Sequence, residues 1–176
     1  MVAIVDPAQE KVLRQFSTDA EFTMGVAYSP DGTKLATADF DGFLRLWDPA
    51  TGTALRAPLA LSQNPLNSVN WSPNGRTIVT VDWAGAVRLT DVATGRDLGP
   101  PFQIGENRFP YALFTPDGND VVVTDDSGRV WIFPAAVEAW ADHACVVANR
   151  SFTRAEWREF FPGRPYYEVC PAASGG

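Results

Sequence analysis

From Val26 to Phe133, short stretches of apolar and β-branched residues alternate with tight polar breaks rich in Gly and Pro, and no segment there carries the spacing of an amphipathic helix. The pattern predicts an all-β region of short strands. In Leu44-Arg45-Leu46-Trp47 the two leucines point to one face of a strand while Arg45 and Trp47 point to the other, and Val87-Arg88-Leu89-Thr90 repeats the arrangement. Apolar groups fall on both faces, so a sheet built from these strands must be covered twice to be stable. After Pro134 the period changes, with Ala136, Val137, Trp140, Ala141, Ala144, Cys145 and Ala148 at helical spacing through Asn149. Thr153-Arg154-Ala155-Glu156 is a capping-box sequence, opening a second short helix with Trp157, Phe160 and Phe161 that Pro162-Gly163 ends.

The strands recur at a fixed step. Ser29-Pro30-Asp31-Gly32 returns as Ser72-Pro73-Asn74-Gly75 and as Thr115-Pro116-Asp117-Gly118, each 43 positions after the last. Asp39, Asp82 and Asp125 keep the step, as do Gly42, Gly85 and Gly128, and so do the pairs Trp47-Asp48, Thr90-Asp91 and Phe133-Pro134. A partial copy precedes them, with Asp6-Pro7-Ala8 matching Asp48-Pro49-Ala50 and Leu13 matching Leu55 and Leu98. Each unit reads as four strands. A type I turn, with Ser or Thr first, Pro second and Gly fourth, joins the first two. A hairpin with a Gly of positive φ joins the second and third. The fourth follows Gly52 or Gly95 and runs toward Leu59 or Phe102. A sheet of ~43 residues that is apolar on both faces is not stable alone, and stacking such sheets radially makes a propeller.

The first full unit, from Val26 through Tyr28-Ser29-Pro30-Asp31-Gly32 and Leu35-Ala36-Thr37-Ala38-Asp39 to Trp47-Asp48, resembles a blade of the WD-repeat family. The resemblance implies an open part of a β-propeller over residues 1–134: a partial blade over 1–20, then repeats at about 21–63, 64–106 and 107–134, with a helical C-terminal tail over 135–176. Blades of that family are often pinned by a hydrogen-bonded His, Ser or Thr, turn Asp and third-strand Trp. Asp41 and Trp47 match this pattern, but the single His, His143, lies outside every repeat, so the expectation is that the blades rely on apolar packing more than on a polar network. The stretch from Ala144-Cys145 through Trp157 to Cys170-Pro171 resembles a tail found at the end of many bacterial WD-repeat proteins, often large signalling proteins.

Charge and composition narrow the function. With 14 Lys and Arg against 21 Asp and Glu, the net charge of -7 argues against a binder of phosphate backbones. The chain is 45% hydrophobic, enough for a core, yet no stretch approaches the ~18 apolar residues of a membrane span. Its start has no basic export region, and its two cysteines have no zinc spacing, so the expectation is a cytoplasmic protein without metal or cofactor. His143 and Cys145 stand two apart on the expected helix and do not face each other, which weakens them as metal ligands or as a catalytic pair. The carboxylates of Asp39-Phe40-Asp41-Gly42 and Asp125-Asp126-Ser127-Gly128 read as turn chemistry.

The expected function is therefore a non-catalytic protein–protein interaction platform or sensor module, the C-terminal part of a larger bacterial signalling protein. A self-assembling part-propeller is the structural alternative. A propeller hydrolase is the enzymatic one, and it lacks a nucleophile, base and orienter set. Phe40, Trp83 and Asp126 share one repeat position beside the hairpins between second and third strands, on the rim that in the family meets partners, and are the candidate partner-binding residues. Asp41, Trp47, Gly42, Gly85 and Gly128 are the candidate structural positions of the repeat. Three full units do not close a ring, so an apolar face such as that of Leu44 and Leu46 is expected to lie open, and the chain is expected to meet remaining blades, another protein or its own copy.

Overall fold

The computed structural model describes residues 1–105, 109–135 and 153–160. The partial unit is a two-stranded hairpin, β1 (Val2–Asp6) with β2 (Lys11–Phe16). The first full unit runs through β3 (Thr23–Tyr28), β4 (Leu35–Asp39) and β5 (Phe43–Asp48), closed by β6 (Thr53–Ala54) and β7 (Leu59–Ala60), which both pair with β5. The second unit is β8 (Leu66–Trp71), β9 (Thr77–Asp82), β10 (Ala86–Asp91) and β11 (Phe102–Gln103). The third has β12 (Tyr111–Phe114), β13 (Asp120–Thr124) and β14 (Val130–Pro134). All pairings are antiparallel, and the small sheets do not close into a ring. This is the all-β part-propeller expected from the repeat, with two adjustments. The outer strand is broken where Pro58 and Pro100-Pro101 supply no backbone N–H, leaving two-residue pieces. The third sheet has three strands among the described residues rather than four.

The predicted turns form. Gly32, Gly75 and Gly118 donate their N–H to Ser29, Ser72 and Thr115 carbonyls at 2.8–2.9 Å, closing each turn between first and second strands. These turns also stack from unit to unit, since a Cβ on Gly75 would touch Pro30 and one on Gly118 would touch Pro73. The hairpin glycines Gly42, Gly85 and Gly128 have φ of +81°, +77° and +81°. Space differs among them. A Cβ on Gly42 would overlap the Ser62 carbonyl and one on Gly85 the Gly105 carbonyl, while among the described residues nothing lies within 4 Å of one on Gly128.

The apolar core lies between sheets. Ala36, Ala38, Leu44 and Leu46 on the back of the first sheet meet Leu66, Val69, Trp71 and Ile78 of the second. The back of the second sheet, Val79, Val81, Val87 and Leu89, meets Ala112, Val121 and Val123 of the third. Leu44 and Leu46 are 1% and 3% exposed, contrary to the expectation that they lie open. Their face points along the stack toward the next unit and is covered by it. The open copy of that face is at the far end, where Val130 and Ile132 are 59% and 65% exposed. The inner strands β3, β8 and β12 are neighbours, tied by Trp71 Nε1–H to the Ala27 carbonyl at 3.0 Å and Ala112 N–H to Ser68 Oγ at 3.1 Å.

Of the expected tail, α1 (Arg154–Phe160) is helical. Its capping box is reciprocal: Thr153 N–H donates to Glu156 Oε2 at 2.8 Å and Glu156 N–H to Thr153 Oγ1 at 3.2 Å. Trp157 is buried. The expected helix over 136–149, with Trp140, His143 and Cys145, lies outside the described residues, as does Cys170.

The glycines give a graded test. Gly128→Ala is expected to cost about 1 kcal/mol for a left-handed alanine, and Gly42→Ala at least about twice that because backbone of the following loop must also move. Urea denaturation of the two variants checks the order.

Candidate functional site

The hairpins joining second and third strands and the loops leading into the first strands gather on one rim. Four aromatic rings from these segments form a row there. Phe22 precedes β3 and Phe40 follows β4; their centroids are 6.0 Å apart at an interplanar angle of 76°. Phe40 and Trp83, at equivalent hairpins of adjacent units, stand 5.4 Å apart and edge to face at 89°. Trp83 meets Phe109, before β12, at 6.4 Å and 76°. Such edge-to-face geometry places the positive ring edge on the negative face of its neighbour, so the row is held in a fixed arrangement.

The row is exposed although its members touch. Phe40 and Trp83 are 37% and 38% exposed, and Phe22 and Phe109 at the ends are more so. Trp83 is further fixed by its indole N–H, which donates to Asn67 Oδ1 at 3.1 Å. Asn67 in turn donates from Nδ2 to the Pro110 carbonyl at 2.8 Å, linking the second unit to the third. The polar edge of Trp83 is therefore occupied within the protein, and what it offers outward is apolar ring. Phe40 and Trp83 are brought together as neighbours. Asp126, at the equivalent hairpin of the third unit, is exposed and is not part of the row. Phe22 and Phe109 escaped the sequence reading because they do not occupy equivalent repeat positions. The available signal was an aromatic just before the first strand of the first and third units, which the second unit, entered through Asn64-Pro65, does not share.

Beneath the rim lies a polar chain in the first unit. Trp47 Nε1–H donates to Thr37 Oγ1 at 3.1 Å, Thr37 donates to Asp39 Oδ2 at 3.1 Å, and Thr23 donates to Asp39 Oδ1 at 2.8 Å. Thr18, fully buried, lies 3.2 Å from the Thr23 hydroxyl. Arg45 Nη1 joins the same Asp39 carboxylate at 2.7 Å, while its Nη2 reaches Asp41 Oδ2 at 2.7 Å. In this unit a polar network forms without the histidine of the family's usual set. Threonine hydroxyls and a guanidinium supply the donors that a histidine would, and the hub is Asp39, not Asp41. The recurrence of Asp39, Asp82 and Asp125 at the repeat step was the signal for this.

The second and third units carry only parts of the network. Asp82 accepts from Ser62 Oγ at 2.6 Å and from the Ala86 N–H at 2.9 Å. Thr90 stands where the first unit has Trp47 and donates instead to Asp97 at 3.0 Å. Thr80, the counterpart of Thr37, is left with a buried hydroxyl that has no hydrogen-bond partner among the described residues. Asp125 accepts from Ser127, Arg129 and their backbone N–H groups.

Several turn carboxylates are held ionised by these bonds. Asp31 is lowered to about 2 by the Ser29 hydroxyl and the Thr33 backbone and hydroxyl. Burial pushes Asp125 up, but hydrogen bonds from Ser127 and Arg129 outweigh it and bring it to about 2. The Arg45 hydrogen bond lowers Asp41, and the same contact foremost raises Arg45. Among the described residues no group of three or more His, Cys, Asp or Glu is placed to hold a metal ion, and no helix is long and apolar enough to cross a membrane.

Residues 11–48 and 58–91 match the family model for the WD domain, G-beta repeat. The chain thus carries a WD40 repeat domain, with two WD repeats within residues 11–91. Repeats of this family are commonly protein-interaction scaffolds and usually non-catalytic. No curated protein matches the chain.

The lowered carboxylates fix an acid limit. A depressed folded pKa contributes stability that is complete above the unfolded value of about 3.9 and is lost as pH falls through the folded one. The melting temperature is expected to hold between pH 7 and 5 and to fall from about pH 4 toward 2. Asp31→Asn and Asp125→Asn should each shrink that drop. Thermal melts followed by circular dichroism across this range check it.

Proposed function

We propose that the chain is a non-catalytic protein-binding platform and that its partner seats on the aromatic row, with Phe40 and Trp83 as central anchors. The observation that carries this reading is the row itself: four rings in contact, spanning three units, each exposed by more than a third. Rigid, partly exposed aromatic rings concentrate binding energy at interfaces. The indole bond to Asn67 supports the reading further, because an anchor fixed before binding loses little entropy on contact. Asp126 on the third hairpin favours a partner with Arg or Lys toward that side, in keeping with the net charge of -7. The likeness of the tail to that of bacterial WD-repeat signalling proteins supports placing the platform within a larger signalling protein of the cytoplasm.

Trp83→Ala is expected to weaken partner binding by about 2 kcal/mol or more with little change in folding stability. Phe40→Ala should act in the same direction. Calorimetric titration of a partner captured by the wild-type chain, beside the melting temperature of each variant, tests this. Unchanged affinity with a stability loss of roughly 3 kcal/mol would assign Trp83 to packing and reject the reading.

A further inference from the structure

The first and third hairpins of the rim each hold a guanidinium against an aromatic face. In the first unit Arg45 stands over the Phe43 ring, 5.2 Å from its centroid, and pairs with Asp39 and Asp41. In the third, Arg129 stands over the Trp131 ring at 5.1 Å and pairs with Asp125. The two arrangements use the same repeat positions with the residue types exchanged, Phe43 and Arg45 against Arg129 and Trp131. In both, the cation meets the negative face of a ring while a carboxylate accepts its hydrogen bonds.

The second unit lacks this arrangement. Its residues at the two positions are Ala86 and Arg88, and Arg88 turns instead to Asp97 at 3.0 Å. Yet this hairpin carries Trp83, an inner ring of the exposed row, whose indole N–H is already given to Asn67. What Trp83 offers outward is ring surface, and the face of an indole is the aromatic surface that attracts a cation most strongly. The rim around it is acidic. Glu21 beside Phe22, Asp41 beside Phe40, and Asp126 on the third hairpin are exposed, while Arg45 and Arg129 are bound to carboxylates of their own hairpins.

Given that the aromatic row is the binding surface, we propose that its ligand is an extended, arginine-bearing segment of a partner protein. One guanidinium of that segment lies over Trp83 and supplies from outside the contact that the flanking hairpins make within the chain. Ring centroids step by 6.0, 5.4 and 6.4 Å along the row. Side chains on one face of an extended segment recur at about 6.6 Å, so alternate residues of the ligand follow the rings. Glu21 and Asp126, toward the two ends, favour further cations there. Arginine is preferred to lysine because its plane stacks on a ring while its edge still donates to a carboxylate.

A fluorescently labelled peptide of alternating arginine and glycine is the probe, beside three versions with lysine, neutral citrulline or leucine in place of arginine. The intact chain is expected to bind the arginine peptide saturably, the lysine peptide more weakly, and the citrulline and leucine peptides weaker by roughly tenfold. Trp83→Leu keeps an apolar side chain and removes the π-face; it should weaken the arginine peptide by roughly fivefold and leave the leucine peptide unchanged. Leu113→Asp, away from the rim, should not weaken the arginine peptide, and melting curves verify that each variant is folded. Equal affinity for the arginine and citrulline peptides, or no effect of Trp83→Leu on the arginine peptide, would overturn the proposal. A leucine peptide that binds as tightly as the arginine peptide, and is lost in Trp83→Ala, would overturn it while leaving the row as the partner site; failure of the row itself is read separately, from a captured partner that binds Trp83→Ala unchanged.

Discussion

The fold depends on one constraint: each small sheet is apolar on both faces and is stable only when a neighbour covers each. Leu44 and Leu46 are buried because Val69 and Trp71 lie against them, and Val87 and Leu89 because Ala112 and Val121 do. Burying such side chains contributes roughly 1.5–3 kcal/mol each relative to exposure. Among the described residues the middle sheet alone has a sheet of three or more strands on each face. Its flanks show the consequence of losing one, with Val26 and Tyr28 open at the front and Val130 and Ile132 open at the back.

Polar groups refine this stack unevenly. In the first unit Asp39 gathers Thr23, Thr37 and Arg45, and Trp47 joins through Thr37, so a buried carboxylate is fully engaged. Replacing Trp47 by Thr90 in the second unit removes the indole donor and leaves the Thr80 hydroxyl without a partner among the described residues. The second sheet bears that cost while sandwiched between two others, where apolar burial is greatest. The same rim that is braced from below carries the aromatic row above, so the rings rest on hairpins whose glycines and carboxylates fix their shape.

Much of this was legible in the sequence, and the boundary is physical. A repeat step of 43 residues, Pro and Gly at fixed turn positions and strict alternation encode local geometry, so the strands, turns and capping box follow directly. Phe40 and Trp83 were visible as a pair because they share a repeat position. Phe22 and Phe109 were not, because their approach is a tertiary event between loops of different units. The Asp39 network was missed by looking for histidine, when any hydroxyl or guanidinium at donor distance serves the same carboxylate. Which faces lie open also required the stacking direction, which alternation alone leaves undetermined; hence Leu44 and Leu46 are covered and Val130 and Ile132 are not.

Hydrogen exchange of the intact chain tests the dependence on stacking most directly. If neighbours supply the stability, amides of β9 and β10 in the middle sheet exchange most slowly, those of β4 and β13 faster, and those of β1 and β2 fastest. Equal protection across the three sheets, or greatest protection in β1–β2, would contradict the account.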